Sequence, residues 1–297
     1  MSGLQGRPAF FGEVLFDRFP DGTTVLGGAP FNVAWHLQAF GKTPLFISRI
    51  GDDPEGHQVL ASMQDWGMNT SVVEIDPTHP TGSVDVRLND GEPHFEIVAD
   101  AAYDFISGDH LPSSENLALI YHGTLALRSE VSRATFAHMH KKTGAPLFLD
   151  VNLRAPWWQG TEVTQILDDA RWLKLNDVEL DILAPGTETQ AARAEQLMQQ
   201  HELDLVLLTR GANGALAVSK DGEMVEVAPA KKTRVIDTVG AGDAFASVVV
   251  LGLLEGWTLS RTLSNAQDLA SRIVEQRGAT PTDPAFYDPI RKAWNMT

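Results

Sequence analysis

Short apolar runs alternate with longer, helix-patterned stretches along almost the whole chain, and this rhythm constrains the fold more than any other feature. The runs "AFFGEVLF" (9–16), "PLFISRI" (44–50), "LALIY" (117–121), "PLFLDV" (146–151), "RWLKL" (171–175) and "LDLVLLT" (203–209) read as strands. Most are continuously apolar, as strands covered on both faces of a parallel sheet must be. Helices are predicted over 29–41, 55–66, 129–142, 187–201, 241–255, 258–276 and 284–294. In the first of these, Pro30 sits where an opening turn accepts it, and Gly41 supplies the stop. Such alternation predicts a three-layer α/β/α sandwich around a mostly parallel sheet. The 297 residues contain no linker-like segment and no repeat, so a single domain over residues 1–297 is expected.

One segment breaks the rhythm. "GSVDVRLNDGEPHFEIV" (82–98) puts Val84, Val86 and Leu88 on one face and Ser83, Asp85 and Arg87 on the other. Asn89-Asp90-Gly91 is a turn signal, and Phe95 and Ile97 resume the alternation. A β-hairpin inserted in an α/β protein is predicted, with strands near 12–24 joining it. It serves either as an edge of the main sheet or as a small β lid over a pocket, with one face used in a homodimer contact.

Charge and composition restrict the partners. Lys plus Arg is 23 against 39 Asp plus Glu, a formal balance of −16, which argues against nucleic-acid and anionic-membrane binding. A phosphate ligand stays open, because a local nest of backbone N–H groups outweighs global charge. The absence of cysteine excludes disulfides, thiolate nucleophiles and Cys zinc sites. The nine histidines show no metal spacing. No run approaches the roughly 18 apolar residues of a membrane span, and the N-terminus lacks a leader pattern, so a cytoplasmic location is expected.

The segment "DTVGAGDAF" (237–245) carries the chemistry. Residues 233–237 read as a strand and 241–255 as a helix. Gly240, Ala241 and Gly242 then lie at a helix N-terminus, where free N–H groups and the dipole suit a phosphoryl group. Asp243 falls in the first turn. Alone, it reads as a carboxylate that complements the dipole. Its chemical reading is a general base that takes the proton of an attacking hydroxyl while backbone amides hold the transferring phosphoryl. No GK[ST] follows, so the loop is not a Walker A loop. No GxGxxG follows the first strand, which makes a nicotinamide-dependent oxidoreductase remote.

"DTVGAGDAF" resembles the C-terminal signature of the ribokinase-like (PfkB-type) carbohydrate kinases, and "GGAPFNVAWHLQAFG" (27–41) resembles their N-terminal signature. "GEVLFD" (12–17), "GDDPEG" (51–56), "LKLNDVEL" (173–180) and "LTRGANGA" (208–215) extend the likeness over nearly the whole chain. The stretch "FLDVNLRAPWW" (148–158) looks most like bacterial fructokinases. The resemblance implies a ribokinase-like sandwich with a β lid and ATP-dependent phosphorylation of a primary hydroxyl of a small sugar, fructose first among candidates. Ribose, 2-keto-3-deoxygluconate and nucleosides are the alternative substrates, and a non-catalytic sugar- or nucleotide-binding module is a remote one. For the sugar acid, Arg87 in the hairpin would supply a cation.

Carried over residue by residue, the resemblance makes Asp243 the base and Gly240, Ala241 and Gly242 the anion hole. It gives Asp17, Gly27, Gly28, Asn32 and Arg154 to the sugar. Asn176, Thr209, Gly211, Gly214 and Asn265 go to the nucleotide. Glu179 would hold Mg²⁺ through water, and Asp237, with Val239, Gly278 and Ala279, lies where some members bind a monovalent cation such as K⁺. Plainer readings stand beside these. Asp17 reads as a turn residue, Asn32 as a solvated helix residue, and Arg154 as an ion-pair partner of Asp150. Asn176 with Glu179 reads as a helix N-cap with its capping-box partner.

Overall fold

A computed structural model describes residues 3–89, 92–109, 111, 116–229 and 234–296. The chain begins with β1 (Arg7–Phe11), β2 (Leu15–Arg18), β3 (Thr24–Gly27), α1 (Ala29–Ala39), β4 (Leu45–Gly51), α2 (Pro54–Asp65) and β5 (Val73–Asp76). It continues with β6 (Gly82–Asn89), β7 (Glu92–Ile97), β8 (Leu117–His122), α3 (Glu130–Thr143), β9 (Leu147–Asp150), α4 (Gly160–Asp169) and β10 (Ala170–Asn176). It ends with α5 (Asp177–Leu183), α6 (Gln190–Gln200), β11 (Leu205–Thr209), β12 (Ala215–Ser219), β13 (Met224–Val227), α7 (Ala241–Glu255), α8 (Leu259–Ile273) and α9 (Asp288–Ala293).

Nine strands form the central sheet in the order β13-β12-β11-β10-β9-β8-β1-β4-β5. Every pairing from β5 across to β11 is parallel, and β12 and β13 close the edge antiparallel. The strands are apolar throughout because both faces are covered. Phe10, Tyr121, Phe148 and Leu207 pack under α1, α7 and α8, while Phe11, Leu149, Leu173 and Leu208 serve the opposite side with α3 and α6. Neighbouring residues of one strand thus feed different cores, as a side-chain period of two requires. The three-layer expectation is met.

The smaller sheet runs β3-β2-β6-β7. The hairpin over 82–98 is therefore the outer half of a separate sheet, not an edge of the large one. Asp90 and Gly91 of its expected turn lie outside the described residues.

Two strand expectations are corrected. The run 9–16 is broken at Gly12, whose φ of +151° is closed to most side chains and where a Cβ would come within 2.7 Å of Pro30. The chain leaves the large sheet after Phe11 and joins the small one at Leu15. Residues 234–237 form no strand, and Thr233 lies outside the described residues. Val235 and Ile236 are exposed, and the N–H groups of Ile236 and Asp237 both donate to the Val274 carbonyl (2.7 and 3.2 Å) rather than to a ladder. Among the described residues no helix is long and apolar enough to cross a membrane.

Candidate active site

The chain lays β1, β4 and β5 to one side, then returns past β1 to lay β8 through β11 to the other. The carboxyl ends of strands beside such a reversal are where open α/β sheets hold ligands. A cavity of about 570 Å³ lies there. Its floor is built from residues at or just past strand ends, including Glu13, Asp150, Lys174, Asn176 and Thr209. Its roof is one face of the small sheet. Asp17 lies opposite Val25 and Val84, and Val84 opposite Ile97, so these side chains share the cavity face. Arg87 belongs to the other face, where it pairs with Glu96 (3.0 Å). The cation expected of it for a sugar acid therefore points away from the cavity.

Gly240 is the N-cap of α7 in the left-handed conformation (φ 78°). A Cβ there would lie 2.2 Å from that of Ala279, so only glycine fits both the turn and the contact. The first helical hydrogen bond runs from the Ala244 N–H to the Gly240 carbonyl (2.8 Å). The N–H groups of Ala241, Gly242 and Asp243 precede it, outside the helix ladder. Gly240, Gly242 and Asp243 line the cavity. Asn32 of α1 donates from Nδ2 to Asp243 Oδ2 (2.7 Å), which ties the two signature helices together. Burial pushes the Asp243 carboxyl up to about 6, helped by Asp150 and opposed by the Asn32 hydrogen bond, Lys174 and Arg154. A carboxyl with that value is ionised at neutral pH yet basic enough to take a proton.

Beneath the nest lies a polar ladder across three neighbouring strands. Tyr121 of β8 donates to Asp150 Oδ2 (2.7 Å), and Lys174 of β10 holds both oxygens of Asp150 of β9 (2.8 Å each). The Lys174 ammonium reaches within 3.6 Å of where a Cβ on Gly242 would stand. Burial works against its charge, but Asp150 overcomes this and holds its pKa above the usual value. Asp150 is thus paired with Lys174, not with Arg154 as the plainer reading of that arginine had it. Asn152 turns the chain at φ 43°, and that turn brings Asp150, Asn152 and Arg154 to the cavity.

Asp17 is pushed up to about 6 by burial, against the pull of Arg154. Gly28 (φ 115°) lets α1 begin where a Cβ would meet the Glu13 carbonyl at 2.6 Å. Gly27 lines the cavity with open space beside it. Sequence reasoning missed Glu13 and Lys174. Glu13 is the single charged residue of the run 9–16, and Lys174 stands between Leu173 and Leu175 of a buried strand, and that is the signal they offered.

At the other end, Asn176 caps α5. Its Oδ1 accepts from the Glu179 N–H (2.9 Å), while Glu179 accepts from the Asn176 N–H and the Leu153 N–H (2.8 Å each). The capping box is present, and Asn176, Glu179 and Thr209 all line the cavity. Gly211 and Gly214 follow Thr209 in the turn to β12 and lie outside the cavity lining, as does Asn265 on α8. Asp237 accepts from the N–H groups of Val239 (3.0 Å) and Gly278 (3.2 Å), which draws these residues and Ala279 to the back of the nest. Among the described residues no group of three or more His, Cys, Asp or Glu side chains could hold a metal ion.

Residues 7–285 match the family model for the pfkB family carbohydrate kinases. The fructokinase of Klebsiella pneumoniae is 30% identical over 281 residues, which cover 90% of this chain and 91% of that protein. The probable fructokinase-5 of Arabidopsis thaliana is 30% identical over 310 residues, with 94% of each chain covered. Among solved structures, a double-mutant fructokinase from Vibrio cholerae O395, with fructose, ADP and a potassium ion bound, superposes with a TM-score of 0.81 at 27% identity, covering 97% of this chain and 99% of that one. The family match, which spans nearly the whole chain, agrees with the sandwich and its second sheet, and this chain belongs to the pfkB family of carbohydrate kinases.

Proposed function

We propose that this chain transfers the γ-phosphoryl group of ATP to a primary hydroxyl of fructose, giving fructose 6-phosphate and ADP. The observation that carries the reading is Asp243, a carboxyl on the first turn of α7, beside the N–H groups of Ala241 and Gly242 and within the same cavity as Asp17. In the proposed step Asp243 takes the hydroxyl proton as the oxygen attacks the γ-phosphorus. The bond to the β-phosphate oxygen breaks, and the nest meets the charge on the transferring group. Asp17, Gly27, Gly28 and Asn32 orient the sugar, and Arg154 faces both sugar and phosphoryl group. Asn176 and Thr209 serve the nucleotide, with Gly211, Gly214 and Asn265 further out along it.

Glu179 is the carboxylate that fits Mg²⁺ through water, since one carboxylate plus phosphates is the donor set that ion accepts. The ion would neutralise phosphate charge. The loop pair joined by Asp237 suits a monovalent cation, such as the potassium ion in the Vibrio structure. The small sheet acts as a lid over the acceptor.

Fructose is favoured by its presence in that structure and by the fructokinase relatives. Glu13, Asp17 and Asp243 all face the cavity, with Arg154 the cation that acts on each, so a neutral acceptor suits it better than a sugar acid. The test is coupled ADP release with Mg-ATP over fructose, ribose, 2-keto-3-deoxygluconate, mannose, glucose and adenosine. Fructose should give the highest kcat/KM. A higher value for any other acceptor replaces fructose, and silence across the panel overturns the reading.

A further inference from the structure

Glu13 sits in the short link between β1 and β2, in an otherwise apolar run. It is 2% exposed, and its Oε2 has no hydrogen-bond partner. Leaving a buried carboxyl oxygen unpaired costs stability, and folded chains rarely tolerate it without a use for the group. Asn32 shows the same pattern: Nδ2 is spent on Asp243, and Oδ1 is buried without a partner. Among the described residues these are the two side chains with an orphaned buried polar atom that also line the cavity. The backbone N–H groups of Glu13 and Ala29 act on the Glu13 carboxyl, yet its Oε2, like Asn32 Oδ1, is left without a partner, and the space beside both is where the acceptor would lie.

We propose that Glu13 is a further substrate-binding residue, whose free Oε2 hydrogen-bonds a hydroxyl of the acceptor polyol at a point separate from Asp17. The inference rests on the reading of this cavity as an acceptor site, and it narrows the substrate class. The acceptor carries at least two hydroxyls besides the one that reacts, one for Asp17 and one for Glu13. Burial raises the Glu13 carboxyl to about 7, with Asp243 adding to the rise and its own backbone N–H and Arg154 opposing it. It is therefore present in part as the neutral acid near pH 7, able to donate as well as accept.

The experiment compares Glu13→Gln and Glu13→Leu with the parent chain. Sugar and ATP kinetics, the melting temperature without ligand, and a series of single-deoxy fructoses are measured together. Glu13→Leu should lose roughly ten- to a hundredfold in kcat/KM for the sugar, as removal of a hydrogen bond to a charged group does. The KM for ATP should stay within about twofold, on the same argument that only the acceptor is touched. Glu13→Gln, which keeps a donor and an acceptor, should lose only a few-fold by that same reasoning.

One deoxy sugar should be a poor substrate for the parent chain yet cost Glu13→Leu nothing further, which identifies the hydroxyl that Glu13 holds. The ligand-free melting temperature should not fall in Glu13→Gln. A lowered melting temperature with unchanged sugar kinetics would make Glu13 a structural residue and overturn the proposal. So would a deoxy series that penalises variant and parent alike. If the parent turns over another polyol in place of fructose, only the fructose reading fails. The deoxy series is then built on that polyol and decides Glu13 in the same way.

Discussion

At the scale of single residues, the chemistry is concentrated in carboxyls whose environments differ. Asp243 lies on a helix start, hydrogen-bonded by Asn32 and flanked by Lys174. On the proposed mechanism Asp243→Asn keeps the shape and removes the base, so kcat should fall roughly 10²–10⁴-fold. The KM for ATP should stay within a few-fold, because the base acts on the acceptor; unchanged turnover would remove Asp243 from the mechanism. Glu13 makes a different prediction, on stability. Its pKa rises from the ordinary 4.5 to about 7, so the folded chain holds that proton more tightly than the unfolded one. Stability is then withdrawn as pH climbs through that window, and the loss is complete above the folded value, at up to about 3 kcal/mol. Glu13→Gln does not titrate. Its advantage in melting temperature over the parent should grow from pH 5 to pH 8, and a gap that stays constant across that range would show that Glu13 is not held protonated by the fold.

At the scale of elements, α7 and the turn before it carry the proposed transfer, and two glycines there stand in different surroundings. Gly240 adopts φ 78° with Ala279 against it, whereas Gly242 lies inside the helix with only Lys174 Nζ, at 3.6 Å, near a would-be Cβ. Gly240→Ala should therefore damage the fold, lowering stability by about 1–3 kcal/mol through strain at the turn. Gly242→Ala should hold or slightly raise the melting temperature, since alanine favours a helix by up to about 1 kcal/mol. It should still lose activity, because its methyl intrudes on the phosphoryl site. Equal melting temperatures for the two variants would sink this distinction.

The contrast also shows what a sequence makes legible. The nest, Asp243 and the Asn176–Glu179 capping box could be read because each follows from local rules about helix starts. The break at Gly12 could not, since Phe10, Phe11, Val14 and Leu15 are apolar on both sides of it and two sheets demand the same pattern. The strand expected over 233–237 failed, over its described residues 234–237, for the opposite reason. Val235 and Ile236 look like core, yet Val274 on a distant helix end takes the backbone hydrogen bonds. The Lys174–Asp150 pair joins strands 24 residues apart in sequence, and no local pattern announces such a partner.

At the scale of the whole molecule, the two sheets divide the work. The large sheet fixes the floor through strand ends whose positions its packed cores set, and Asp150 and Lys174 are locked to each other across it. The small sheet is held differently. It meets the body through the Gly12 break, through β3 running into α1, through Leu15 and Val84 packed with Tyr103, Leu125 and Ala126, through Arg18 of β2, which donates to Glu55 of α2 (3.0 and 2.6 Å), and through Arg128, which donates to Asp104 and to the Val98 carbonyl just past β7 (2.8 Å each) and stacks over Trp157. Beyond those anchors it projects over the cavity, and Phe95 on its cavity-facing side is 53% exposed. A large ring left half in water on a face that otherwise carries Leu15, Val84 and Ile97 has apolar area still to bury, and an acceptor with the sheet closed onto it would supply the cover. Closure would also serve the proposed transfer, because water admitted beside Asp243 would compete with the sugar hydroxyl for the phosphoryl group. Amide exchange in β6 and β7 should therefore slow when sugar and a non-hydrolysable ATP analogue are both present, while β9 to β11 change little. Phe95→Ser should weaken that protection and raise the sugar KM several-fold, and the share of ADP released without sugar phosphate should increase as water enters. If exchange in β6 and β7 is indifferent to both ligands and Phe95→Ser couples ATP to sugar as tightly as the parent, the small sheet is a fixed wall, and water must be excluded by the residues of the floor alone.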